Sequence, residues 1–167
     1  MRTIGFVVNP IAGMGGRVGL KGTDGKVAEA RRRGAEPRAP DRARRALDAL
    51  GDRGGSGLEL LTWGGAMGAD AARASGFEPT VLGAPDADDT AAADTERAVA
   101  AFLEADVDLV VFVGGDGTAG DVAAAVEGTE TPILGVPAGV KVYSSVFAVS
   151  PEDAAEIVRT FERTERR

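Results

Sequence analysis

The residues Gly114-Gly115-Asp116-Gly117-Thr118 follow the apolar run Val107 to Val113 and hold the sharpest chemical signal in the chain. Three glycines let the backbone pass within contact distance of a phosphate. The start of a following helix supplies N–H groups without intrahelical acceptors, at the positive end of the helix dipole. A carboxylate in that setting repels phosphate, so Asp116 needs another reason to be there: it can accept a hydroxyl proton or bind Mg2+. The structural alternative is that Asp116 N-caps a helix beginning near Gly117. Gly115, Gly117 and Gly120 also match G-x-G-x-x-G. A dinucleotide fingerprint calls for an acid about 20 positions later, and the next strand ends instead in Val136-Pro137-Ala138-Gly139.

A second segment runs from Asn9 to Gly25 and contributes Asn9, Pro10, Gly13, Gly15, Gly16, Lys21, Gly22, Thr23 and Asp24 as phosphate-binding candidates. It is not a Walker A loop, because Gly25-Lys26 precedes Val27 and Leu20 stands where the first glycine belongs. It can still cradle phosphates through backbone amides, with Arg17 or Lys21 as counter-charge. A plain surface loop is the alternative, although loops of this length are more often functional or disordered than incidental. Gly64 to Gly68 reads either as a third phosphate-facing turn or as a tight strand-to-helix connection. Lys141, Tyr143, Ser144 and Ser145 lie past the fifth strand, as nucleotide contacts or as an ordinary polar loop. The arginines at 31, 32, 33, 42, 44 and 45 read as a solvated helix face.

The chain has no Cys and no His. Disulfides, thiol nucleophiles, zinc sites with sulfur or nitrogen ligands and His-based triads are therefore excluded. What remains for chemistry is carboxylates, hydroxyls, Lys and Arg, backbone amides and a hard cation.

These segments need elements to place them. Thr3 to Val8 reads as a buried strand ending at Asn9-Pro10. Asp41 can cap a helix through Leu50, closed by Gly51. Leu58 to Trp63, Phe77 to Leu82, Val107 to Val113 and Thr131 to Val136 read as further strands, the fourth buried on both faces. Thr90 to Ala105 reads as a helix with Ala93, Val99, Ala100 and Leu103 on its apolar face. Helices are also expected after Gly68, after Thr118 and from Pro151, where Glu152 and Asp153 face the dipole. Repeated strand, turn and helix predict an α/β domain: a three-layer, Rossmann-like, doubly wound parallel sheet of about five strands. In such sheets ligands bind beyond the carboxyl ends of the strands. The glycine-rich segments at 9–25, 64–68 and 114–118 all follow strands and should meet at one rim.

With 167 residues and 44% hydrophobic content, one globular domain spanning 1–167 is expected. The net charge of −7 disfavours nucleic acid and anionic membrane as partners. No run approaches the roughly 18 apolar residues of a membrane span, and Met1-Arg2-Thr3 leads directly into the first strand, so the expected location is the cytoplasm. A homo-oligomer is expected.

The motif Gly114 to Thr118 after a buried strand, with Val8-Asn9-Pro10 and Gly13, resembles the signature shared by NAD kinases, diacylglycerol and sphingosine kinases and phosphofructokinases. The stretch Asn9 to Gly25, with Gly135 to Lys141 and Tyr143 to Ala148, is similar to the prokaryotic ATP-NAD kinase-like branch. The resemblance implies an NAD-kinase N-terminal-domain fold. It also implies an ATP- or polyphosphate-dependent phosphotransferase acting with Mg2+ on the 2′-hydroxyl of NAD, in which Asp116 orients or deprotonates the hydroxyl or helps hold Mg2+. Gly114, Gly115, Gly117 and Thr118 would join the Asn9–Asp24 residues in binding the nucleotide. A C-terminal β-rich substrate domain belongs to this pattern and is absent from these 167 residues, so nucleotide binding is expected more firmly than turnover. The alternatives are a non-catalytic nucleotide-binding or regulatory domain and a kinase for a lipid or sugar alcohol.

Overall fold

The computed structural model describes residues 2–10, 39–52, 58–85, 92–137 and 151–160. Side-chain alternation along β1 (Arg2–Val8) sets the layers. Ile4, Phe6 and Val8 join one buried cluster and Val7 the other. A strand that is apolar on both sides requires cover on both sides. Accordingly β1 lies at the centre of a five-stranded sheet with β2 (Leu58–Thr62), β3 (Thr80–Val81), β4 (Leu109–Gly114) and β5 (Ile133–Pro137), in the order β3-β2-β1-β4-β5. Every pairing is parallel, with Val8 opposite Val113 and Gly114 opposite Pro137. The three-layer, doubly wound parallel sheet expected from the sequence is therefore observed.

Helices α1 (Ala39–Asp52), α2 (Ala69–Ala74) and α5 (Pro151–Thr160) cover one face through Ala43, Leu47, Leu50, Ala72, Ala154 and Val158. Helices α3 (Ala92–Glu104) and α4 (Asp116–Ala125) cover the other through Ala98, Val99, Phe102, Ala119 and Val122. Alanines at the contacts bring α1 and α5 close to the sheet. On the opposite face the same close approach is made at Gly5, where a Cβ would lie 2.6 Å from Phe102 Cγ.

The structure corrects three local expectations. Helix α3 buries Thr95, Ala98, Val99 and Phe102, whereas Ala93 and Ala100 are exposed. Alanine is too weakly apolar to define a face, and the i, i+3, i+4, i+7 stripe ending at Phe102 does so instead. The third strand is two residues long, not six. Phe77 donates its N–H to Ala72 O at 2.9 Å, closing the turn after α2, and Pro79 has no N–H for a ladder. Helix α1 starts at Ala39 with Pro40 in its first turn, and Gly51 lies within it. Proline is tolerated there because a first-turn N–H lacks an intrahelical acceptor anyway. Asp108, just before β4, accepts from Thr3 N at 2.9 Å and donates its own N–H to Thr3 O at 2.7 Å, starting the β1–β4 seam. Among the described residues, no helix is long and apolar enough to cross a membrane.

Arg44 and Arg45 on α1 are exposed, as expected of a solvated face. Arg45 also grips α5: its Nε and Nη2 donate to the two Glu152 carboxylate oxygens at 3.0 and 2.9 Å. Hydrogen bonding from Arg45 holds the Glu152 carboxyl below its ordinary value of 4.5, and the same bond raises Arg45. Both side chains are nearly half exposed, at 42% and 47%, so screening keeps the pair's contribution below about 1 kcal/mol. Because the folded-state pKa of Glu152 is depressed, its stabilisation is present above pH 4.5 and is lost as pH falls through that lowered value. Glu152→Gln should cost less than about 1 kcal/mol at pH 7, with the gap to wild type closing on acidification. Urea unfolding at a series of pH values, read by the emission of Trp63, the chain's single tryptophan, checks this. A gap independent of pH would show that the ion pair is not its source.

Candidate functional site

All five strands run in one direction, so their carboxyl ends share a rim. The sheet winds outward from β1 on both sides, and the two directions part between β1 and β4. At that position the connections from neighbouring strands leave toward opposite faces and open a crevice. Two of the segments singled out by sequence begin there: Asn9-Pro10 after β1 and Gly115 to Thr118 after β4.

They are bonded to each other. Asn9 N donates to Val113 O at 2.9 Å, extending the strand ladder by one bond. The Asn9 side-chain Nδ2 donates to Thr118 Oγ1 at 3.0 Å. Thr118 is buried, with 5% of its surface exposed. It reaches that position because Gly114 has no side chain: a Cβ there would fall 2.5 Å from Thr118 Cβ, and nearer still to Thr118 Oγ1.

Helix α4 starts with Gly115 as N-cap, and no side-chain cap bond is made at that position. Asp116 is the first helical residue, half-buried, so the sequence alternative in which it N-caps a helix from Gly117 does not hold. Its carboxylate stands beside the positive end of the helix dipole, where negative charge is stabilised. Ala119 N donates to Gly115 O at 3.0 Å, the first bond of the helical ladder. The N–H groups before Ala119 belong to the first turn, which has no intrahelical carbonyl to receive them, and they border the crevice. The arrangement therefore places N–H donors, one hydroxyl and one carboxylate around a single strand end.

The third glycine-rich turn is different. Residues Gly65–Met67 form one turn of 3-10 helix, and neighbouring carbonyls take the amides of Gly64, Met67, Gly68 and Ala69. Gly64 N donates to Gly83 O at 2.7 Å, Met67 N to Gly64 O at 3.3 Å, Gly68 N to Gly65 O at 3.4 Å and Ala69 N to Trp63 O at 3.0 Å. Of the two sequence readings of this turn, the structure supports the tight strand-to-helix connection. Gly13, Gly15, Gly16, Lys21, Gly22, Thr23 and Asp24 lie outside the described residues, as do Arg17, Lys141, Tyr143, Ser144 and Ser145.

Sequence reasoning placed Asn9 and Thr118 in separate motifs and gave no sign that their side chains touch. Trp63, at the end of β2 on the same rim, was not singled out. It is buried against Gly83, and its indole N–H has no acceptor among the described residues.

Among the described residues no three carboxylate, His or Cys groups cluster as a metal cage. Magnesium carried by a nucleotide needs none, because phosphate oxygens and water fill most of its shell and one or two carboxylates complete it. Asp116 fits that role; a protein-only metal site does not fit these residues.

Compared with models of known families, residues 4–166 match the ATP-NAD kinase N-terminal domain. No curated protein matches the chain.

Because Thr118 lies over the bare Cα of residue 114, Gly114→Ala should force that side chain out of place. The expected loss is about 1–3 kcal/mol of stability, typical of overpacking a close contact, measured by urea unfolding with Trp63 emission. An unchanged midpoint would mean that Thr118 does not hold this position.

Proposed function

The chain belongs to the ATP-NAD kinase N-terminal domain family, and from that premise we propose that its β1–β4 rim binds the phosphates of a nucleotide for phosphoryl transfer to the 2′-hydroxyl of NAD. ATP or polyphosphate is the donor in this reading. The observation that carries it is the hydrogen-bonded junction of Asn9 with Thr118 at the switch point of the sheet. This junction joins two segments that each follow a strand into the one crevice where parallel sheets hold ligands.

The chemistry asks little of the protein beyond placement and charge compensation. N–H groups of Gly115, Gly117 and Thr118 bind phosphate oxygens at the dipole end of α4. The acceptor oxygen attacks the terminal phosphorus of the donor. Its proton passes to the Asp116 carboxylate, and ADP, or a polyphosphate shortened by one unit, departs with the electrons of the broken P–O bond. Magnesium bound to the donor neutralises phosphate charge. Gly13, Gly15, Gly16, Lys21, Gly22, Thr23 and Asp24 complete the phosphate cradle in this proposal. A following β-rich domain, as the resemblance implies, completes the acceptor site.

Binding and turnover can be tested separately. ATP, NAD, NADP and polyphosphate should each be added with Mg2+ in a thermal-shift panel; a ligand that binds only the folded state raises the melting temperature. ATP and NAD are expected to do so. NADP formation is then followed with an NADP-dependent dehydrogenase, with a family β-rich domain supplied. Asp116→Asn should lower turnover at least about 100-fold, the scale of general-base catalysis, and leave the ATP shift nearly intact. A fully active variant would remove Asp116 from the mechanism. Thermal shifts without any product, from NAD or from lipid and sugar alcohols, would indicate a binding module instead.

A further inference from the structure

Asn9 and Thr118 both stand at the rim, and the simplest assignment gives each a direct contact with phosphate. The geometry points to a division of labour. We propose that Asn9 is a positioning residue that acts through Thr118: its side-chain amide holds the Thr118 hydroxyl so that the hydroxyl proton is presented to a phosphate oxygen. The proposal rests on the phosphate-binding reading of this rim.

A threonine hydroxyl carries one donor and two acceptor lone pairs. The Asn9 amide, at 3.0 Å, occupies one lone pair of Thr118 Oγ1 as a donor, so the hydroxyl proton must point away from Asn9. The first turn of α4 around Thr118 presents N–H donors, and its one other side-chain acceptor is the Asp116 carboxylate. An arriving phosphate oxygen offers the Thr118 hydroxyl an acceptor where the surrounding N–H groups offer none. Accepting a bond at Oγ1 also polarises the O–H and strengthens it as a donor.

The pieces that fix the pair are rigid. Asn9 is tied to the strand next door through its own N–H to Val113 O at 2.9 Å, and the bare Cα of Gly114 seats the Thr118 side chain in a buried place. One N–H of the Asn9 side-chain amide is thereby engaged inside the protein. In the proposal, a change at position 9 reaches the ligand by releasing the hydroxyl.

A double-mutant cycle decides the point. Isothermal titration of the whole chain with magnesium tripolyphosphate, and separately with Mg-ATP, is carried out for wild type, Asn9→Ala, Thr118→Val and the double variant. Thr118→Ala replaces the valine variant in the cycle if the latter does not fold. Removing the hydroxyl should weaken binding roughly ten- to hundred-fold, the range of a hydrogen bond to a charged acceptor. Asn9→Ala should cost less, and the double variant should bind no worse than the Thr118 variant alone. Thr118→Ser, which keeps the hydroxyl, should restore most of the affinity. Additive losses would make Asn9 a direct ligand and overturn the proposal while leaving the rim a phosphate site. A lower melting temperature for Asn9→Ala with unchanged affinity would reduce the bond to a structural one and also overturn it. If wild type binds neither probe, the phosphate reading of the rim fails, and this proposal with it.

Discussion

The parallel pairing of β1 with β4 is the constraint on which the rest of the molecule depends. Those two strands adjoin in space but are separated in sequence by β2, β3 and, among the described residues, helices α1, α2 and α3. The chain can bring them together only by building outward from β1 in one direction, returning across the sheet, and building outward in the other. That reversal creates the crevice. It also explains why the seam is fastened at both ends. Asp108 and Thr3 exchange two hydrogen bonds at its start, and Asn9 bonds to Val113 and Thr118 at its finish. A slip of one residue between these strands would send every inward side chain to the opposite layer. It would also move Asn9 out of reach of Thr118.

The two cores serve the same end with different materials. Under α1 and α5, alanines at 39, 43, 46, 154 and 155 let helices lie close against Ile4, Phe6, Leu60, Val111 and Val136. On the other side, Phe102, Phe112, Trp63 and Met67 supply bulk, and Gly5 makes room for Phe102. A chain with only 5% aromatic residues thus places several of its largest rings on the face that carries α4. There they support the helix whose first turn faces the crevice. Ala119 and Val122 anchor that helix to the sheet, so the direction of its N–H groups is set by packing and not by a flexible loop.

Much of this was legible in the sequence, for identifiable reasons. Uninterrupted apolar runs announced β1 and β4, and the glycines after Val113 announced the turn that leads from β4 into α4. Alternation of strand and helix announced the parallel sheet. What failed rested on weaker physical signals. The buried side of α3 was misread because alanine barely distinguishes inside from outside, and the third strand was overextended because Phe77 and Leu82 look alike whether or not their backbones pair. The capping role considered for Asp116 differed from the observed start of α4 by one residue, a distance that propensity does not resolve. The bond between Asn9 and Thr118 joins side chains 109 positions apart, and no local pattern encodes it. Gly64 to Gly68 shows the converse: composition resembled a phosphate turn, yet the amides of Gly64, Met67 and Gly68 were already bonded at home.

The charge of the chain sharpens the meaning of the rim. A protein of net charge −7 repels polyphosphate at long range, so steering by the overall field is not available to it. Screening confines that repulsion to about 10 Å at ordinary salt. Within that distance the decisive charges are local, and at the β1–β4 crevice they are the dipole end of α4 and N–H groups without intrahelical acceptors. Such donors hold their direction, require no proton equilibrium near neutrality and work without His or Cys. Asp116 then stands out as the one element of the motif that opposes the anion instead of attracting it. In the proposed site its presence would cost affinity for phosphate, and a site built only to hold phosphate would have no use for that cost. A site for the proposed phosphoryl transfer would, whether the carboxylate takes a hydroxyl proton or helps hold Mg2+.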